Sequence, residues 1–214
     1  MIFADRHDAG RRLAGALEKY RGTNAIVLAI PRGGVVIGYE VATALGLLLD
    51  VIIPRKIGAP YQPELAIGAI GDDEYVLDEQ TVQYLGVSQQ YIAEEIERQK
   101  HEIERRWKLY RDDRPFPDLT GKTAILVDDG IATGYTTMAA ARAIRKRKPA
   151  KLVLAVPTAP PESVARLRPE VDELIVLDTP EPFYAVGSWY EVFDQTTDEE
   201  VVELLHRAEA QSAE

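Results

Sequence analysis

A series of short, mostly apolar runs, Ala25–Ile30, Asp50–Pro54, Ala124–Val127, Leu152–Val156 and Glu173–Leu177, punctuates this chain, and helical spacing fills most of the intervals. Runs of this kind have no polar face to turn to solvent, so they read as strands buried on both sides. Strands alternating with helices predict an α/β fold: a mostly parallel twisted sheet with helices on both faces. At 214 residues, with 46% apolar and 28% charged content, the chain suits one such domain with a substantial core.

Between the runs, Asp8 is the expected N-cap of a helix to about Tyr20, and a second helix spans Val35–Leu45 with Gly46 as its C-cap. Gly58, Pro60, Pro63, Gly68 and Gly71 interrupt residues 57–73, which predicts a long mobile excursion or β-arm, with strands at Leu65–Ile70 and Tyr75–Leu77. The longest helix runs from Ser88 to about Tyr110, with Ile92, Ile96, Ile103, Trp107 and Tyr110 on one side. Glu94, Glu95, Glu97, Arg98 and Lys100 fall on solvated faces. Asp113–Asp118 reads as a linker, Pro161–Leu167 as a short helix and Asp198 to about Ala210 as the last. The expected organisation is a core over residues 1–178, with an arm at about 57–77, and a small C-terminal hood with a tail helix over 179–214.

Composition narrows the function. A net charge of −10 disfavours a nucleic-acid or membrane footprint, which would need a basic face. The chain has no Cys, and so no disulfide, zinc-thiolate site or Cys nucleophile. Residues 1–10 lack the apolar core of a signal peptide, and no run approaches the roughly eighteen apolar residues of a membrane span. A cytoplasmic protein is expected.

The most informative stretch begins with the strand Ala124–Val127. Asp128 and Asp129 follow where that strand leaves the core; then come the small and hydroxylated residues Gly130, Ile131, Ala132, Thr133, Gly134, Tyr135, Thr136 and Thr137, and then the helix former Met138–Arg145. A helix N-terminus offers unpaired N–H groups and the positive dipole end to a phosphate. Two adjacent acids would repel that phosphate unless they faced something else, and vicinal sugar hydroxyls are natural donors to them. Together these residues suit a ribose 5-phosphate. The other acidic pairs, Asp72–Asp73 and Asp112–Asp113, neither follow a buried strand nor precede a Thr-Gly loop.

At Ile125–Gly134 the chain resembles the type I phosphoribosyltransferases, whose motif for phosphoribosyl pyrophosphate (PRPP) is an apolar strand, two acids and a small-residue Thr-Gly loop. The resemblance implies transfer of the 5-phosphoribosyl group from PRPP to a nitrogenous base, with Mg²⁺ carried by PRPP rather than held directly by protein ligands. Asp128 and Asp129 would take the diol and residues 130–137 the 5′-phosphate. Pro31–Val35 resembles the family's pyrophosphate loop, which gives Arg32, Gly33 and Gly34 that role and makes a strained or cis peptide near Arg32–Gly33 expected. Lys56, beside Arg55 at the expected C-terminal end of a strand, would add a cation. Gly33 and Gly34 could equally serve tight strand-to-helix packing, and Arg55–Lys56 could be a surface pair.

Phe183 and Tyr184 in the tail are candidates for a hood over the base, with core packing as the alternative for the tail aromatics, Trp189 and Tyr190 included. A homodimer through the 88–110 helix or the 57–73 arm is expected. Two further readings stay open: a non-catalytic PRPP or nucleotide-binding regulatory module on the same fold, and a ribose-phosphate enzyme whose acceptor is no base. A P-loop fails because Gly121-Lys122-Thr123 precedes a strand and Phe116 stands where glycine is required; the spacing of Gly33–Gly38 fails the dinucleotide fingerprint.

Overall fold

The computed structural model describes residues 1–112 and 114–212. In chain order the elements are α1 (Arg6–Ala16), β1 (Ile26–Ala29), α2 (Gly33–Leu45), β2 (Leu48–Val51), β3 (Pro54–Ala59), β4 (Gln62–Gly71), β5 (Glu74–Leu77), α3 (Glu79–Leu85) and α4 (Gln89–Arg111). There follow β6 (Thr123–Val127), α5 (Tyr135–Lys146), β7 (Lys151–Thr158), α6 (Pro161–Leu167), β8 (Glu173–Asp178) and α7 (Asp198–Ser212).

The central sheet has the order β2-β1-β6-β7-β8, with every pairing parallel. Successive residues of a strand point to opposite faces, and the core divides accordingly. Val27, Ala29, Ile125 and Val127 pack with α1, α2 and α7. Ile26, Leu28, Ala124 and Leu126 pack with the Ala-rich face of α5. The chain runs from β1 outward to β2, then returns to place β6 on β1's other side. That reversal makes the gap between β1 and β6 the switch point where open α/β sheets hold ligands. Ala29 is level with Val127 in the β1–β6 register, so Pro31–Gly34 and Asp128–Asp129 leave the sheet side by side.

Several boundaries differ from expectation, each for a local reason. Asp5, not Asp8, caps α1: the Asp5 carboxylate accepts from the Asp8 N–H, while Asp8 turns back to accept from Ala4 N–H. The apolar run at 50–54 is shared between two sheets, since β2 ends at Val51 and Pro54 opens β3. Arg55 and Lys56 therefore lie within an arm strand. The expected excursion at 57–73 is the body of a three-stranded antiparallel sheet, β3-β4-β5, packed against α4 and α5. Its glycines are sites of close approach. A Cβ on Gly58 would stand 2.6 Å from Pro63 O, and one on Gly71 would stand 3.0 Å from Ala139 O.

At Gly68 a Cβ would overlap the Val76 carbonyl oxygen, a backbone atom that cannot yield. Gly68→Ala should therefore destabilise the protein by about 1–3 kcal/mol, as overpacking does. A lowered urea midpoint would register this, and an unchanged one would contradict so tight a β4–β5 crossing.

Helix α4 begins at the Ser88 cap and buries Ile92, Ile96, Ile103 and Tyr110. It also buries Glu95 and Gln99, which corrects the solvated reading of Glu95. The C-terminal helix α7 adds Val201, Leu204, Leu205 and Ala208 to the core built on β1 and α2. The linker expected from Asp113 begins outside the described residues. No helix among the described residues is long and apolar enough to cross a membrane.

Candidate active site

The cleft at the β1–β6 switch point has a volume of about 560 Å³. Its floor is Asp128 and Asp129. One side is the turn Ile30–Gly33, and the far wall comes from β3, with Arg55 and Lys56, and from α4, with Glu95, Arg98, Gln99 and Arg106. Of the residues the sequence singled out, Arg32, Gly33, Lys56, Asp128, Asp129 and Thr136 share this lining, and Gly34 lies directly behind the acids. Phe183 and Tyr184 are outside it: Phe183 stacks on Trp189 at 6.1 Å between ring centroids, and Tyr184 is 84% exposed.

The glycine turn has an immediate use. A Cβ on Gly33 would overlap Asp129 Oδ2, and one on Gly34 would lie 3.0 Å from Asp128 Oδ1. Only backbone fits there, so the acids meet the turn at contact distance. The Pro31–Arg32 peptide is cis.

The helices opening on the cleft are unusual in their ends. Side chains cap α1, α3 and α4 through Asp5, Asp78 and Ser88, whereas α2 and α5 have no side-chain cap and no acid in their first turns. Gly134, the N-cap of α5, has φ +86°, a left-handed conformation that glycine adopts without steric cost. The first-turn N–H groups of α5 at Tyr135, Thr136 and Thr137, and those of α2 at Gly33 and Gly34, lack intrahelical acceptors, while Val35 N–H already donates to Arg32 O at 3.0 Å. The acid pair thus stands between two uncapped, electropositive helix ends.

Loop 130–137 is fixed from outside. Ile131 N–H donates to Thr158 O at 2.9 Å, Ser163 Oγ donates to Ala132 O at 2.5 Å, and Arg166 donates to Thr133 O. A Cβ on Gly130 would stand 2.5 Å from Val186 Cγ1, so the tail packs directly on the loop. Tyr190 Oη donates to Asp129 O at 2.5 Å.

Burial and the neighbouring Asp129 push the Asp128 carboxyl well above the usual range. Burial also raises Asp129, and Arg6 pulls it back. Arg6 Nε donates to Asp129 Oδ2 at 2.7 Å, Arg6 Nη1 donates to Asp194 O at 2.6 Å, and the guanidinium lies 3.8 Å from the Phe193 ring centroid. Sequence reasoning missed Arg6. It sits in an ordinary polar N-terminal segment, and no local pattern links it to an acid 123 positions away. The α4 wall was missed for the same reason, because helical spacing reports which residues share a face but not what that face meets.

An open α/β sheet thus brings paired acids and two free helix N-termini together at its switch point. The family of this chain is the phosphoribosyl transferase domain, whose model matches residues 4–177. Two proteins of Mycobacterium tuberculosis, from strains CDC 1551 / Oshkosh and ATCC 25618 / H37Rv, are each 45% identical to it over 214 residues; both are named provisionally as phosphoribosyl transferases. The match covers 100% of this chain and 48% of theirs, so the chain spans about half the length of the curated relatives it matches. The crystal structure of TT1426 from Thermus thermophilus is 42% identical, with a TM-score of 0.81, over 97% of this chain and 99% of that one.

Proposed function

We propose that the chain binds PRPP and transfers its 5-phosphoribosyl group to a nitrogenous base, releasing pyrophosphate. The observation that carries this reading is the acid pair between two uncapped helix ends: two places for phosphate, with hydroxyl acceptors in the middle. In this arrangement Asp128 and Asp129 accept from the ribose 2′- and 3′-hydroxyls. The N–H groups of loop 130–137 and the first turn of α5 hold the 5′-phosphate. Arg32, the turn at Gly33 and Gly34, and Lys56 hold the diphosphate.

As the C1–O bond breaks, its electron pair leaves with pyrophosphate and C1 gains oxocarbenium character. The nearby carboxylates favour that positive charge, while the cations favour the departing negative charge. The acceptor nitrogen forms the new C1–N bond and sheds its proton.

Among the described residues no cluster of three or more acid or His side chains could hold a metal ion. The hard carboxylate oxygens of Asp128 and Asp129 in the cleft would suit a Mg²⁺ that arrives on PRPP. Bound there, it would neutralise charge on the leaving diphosphate.

The reading is tested by titrating PRPP with Mg²⁺ calorimetrically and then measuring pyrophosphate release across a panel of purines and pyrimidines. Absence of PRPP binding would defeat it. PRPP binding without release for any base would favour the regulatory alternative. Lys56→Ala should raise the KM for PRPP by about tenfold, the weight of one partly solvated charge contact of about 1.4 kcal/mol; an unchanged KM would remove Lys56 from the diphosphate site.

A further inference from the structure

Within the activity proposed above, and resting on it, we infer that the nitrogen acceptor carries a planar carboxylate, seated on the open edge of Arg55 at the α4 wall of the cleft. Arg55 Nε donates to Gln99 Oε1 at 3.0 Å, which fixes the plane of the guanidinium and leaves both terminal nitrogens without a partner among the described residues. Gln99 is itself held, its Nε2 donating to the buried Glu95 at 2.8 Å. The arginines that α4 contributes to this wall are matched: Arg98 pairs with Glu95 at 2.7 Å and Arg106 with Glu102 at 2.8 Å. Arg55 is the half-buried cation there that has no acid partner among the described residues.

An unpaired, partly desolvated charge is unfavourable in the empty protein. Burial and then the nearby Arg106 press against the charged form of Arg55, with Glu102 opposing them, and an anion on its free edge would relieve that pressure. The exposed terminal edge of a guanidinium presents parallel N–H donors at the spacing of two carboxylate oxygens.

Two observations separate this position from the diphosphate. Adjacent residues of a strand point to opposite faces: Arg55 is tied through Gln99 to α4, whereas Lys56, which also lines the cleft, is exposed and bonded to nothing on that helix among the described residues. Further, no aromatic side chain among the described residues lines the cleft, so an acceptor here is held by polar contacts rather than by stacking.

The test uses matched acceptors that differ in the acid group, nicotinate against nicotinamide and orotate against uracil. Each is added to the full chain already saturated with PRPP and Mg²⁺, and the melting midpoint and binding isotherm are followed. At least one acid should raise the midpoint beyond PRPP alone while its neutral counterpart does not. Arg55→Gln should weaken that acid at least thirtyfold, leave PRPP affinity within twofold, and melt no lower than the unaltered protein, since it removes an unpartnered charge. Arg106→Gln, on the same wall but already paired, should weaken the acid less.

Equal binding of both members of each pair, binding of neither acid, or loss of PRPP affinity in Arg55→Gln would each overturn the assignment. The matched pairs decide the question in the unaltered protein even if a variant misfolds. Failure of the underlying reading shows separately, in the PRPP-only titration that precedes any acceptor.

Discussion

Asp128→Asn should stabilise the ligand-free protein at neutral pH and weaken PRPP binding by about a hundredfold. The stabilisation follows from the direction in which burial and Asp129 move the Asp128 carboxyl, which is upward. Between the ordinary aspartate value and the raised folded value, the native state holds a proton that the unfolded chain has released. Stability therefore falls as pH rises through that window and is regained on acidification. The strongly lowered acids, Glu102 and Glu173, each held down to about 2, act in the opposite sense, but only as pH drops below their unfolded values. Above those values Glu102 and Glu173 are ionised in both states and do not oppose the slope set by the acid pair.

Asparagine keeps the shape and the oxygen that accepts from Asp129 N–H at 2.8 Å, so the turn is retained. The melting midpoint should rise by roughly 2–4 °C for each kcal/mol recovered, and its slope with pH should flatten. The loss of affinity reflects one charge-assisted hydrogen bond to a sugar hydroxyl in a desolvated site, about 3 kcal/mol. Scanning calorimetry from pH 5 to 8, paired with PRPP titration, checks both halves. Equal midpoints at every pH would mean that the carboxyl is not held in a costly charged form, and equal affinities would mean that the sugar binds elsewhere.

The legible part of this protein is the part written in contiguous residues. Strand β6, the acids and the loop into α5 occupy one short stretch, and its periodicity, charge and small residues give the element order directly. The same holds for β1 and the glycine turn into α2. Their juxtaposition also follows, because the C-terminal ends of neighbouring parallel strands must share one edge of the sheet. The arm was harder to read. Gly58, Gly68 and Gly71 look like loop punctuation, yet each admits a neighbouring backbone or carbonyl that a Cβ would strike. Sequence cannot distinguish a glycine required by a turn from one required by an approaching neighbour.

The cleft's far wall was least legible. Glu95 and Gln99 have the polarity of a surface helix, and only the packing of α4 against β3 turns them inward, where they hold Arg55. Likewise the tail aromatics divide in space. Tyr190 reaches the carbonyl of Asp129, while Tyr184, six residues earlier, projects into solvent.

Arg6→Gln should make both stability and PRPP affinity newly dependent on pH. In the native site Arg6 is the counter-charge to Asp129, and the two side chains are only 12% and 16% exposed. Its guanidinium is anchored by Asp194 O and the Phe193 ring, so it is positioned independently of any ligand. Removing one partner of a largely buried pair costs about 3–5 kcal/mol when the other stays charged. Asp129 can avoid much of that cost by taking a proton, as burial already favours. The variant's carboxyl then titrates higher still. Its deficit in stability relative to the unaltered protein should accordingly be small on the acid side of the raised value and widen as pH rises through it.

Affinity should run the other way. A protonated Asp129 is a poorer acceptor for a sugar hydroxyl, so below its raised value PRPP binding should drop at least tenfold, about 1.4 kcal/mol, and recover as pH rises through that value and the acid ionises. Arg6→Lys retains the charge but not the forked contact, and should fall between the two. Chemical denaturation and PRPP titration at matched pH values would reveal these opposed trends; parallel, pH-independent losses would instead assign Arg6 a purely structural role.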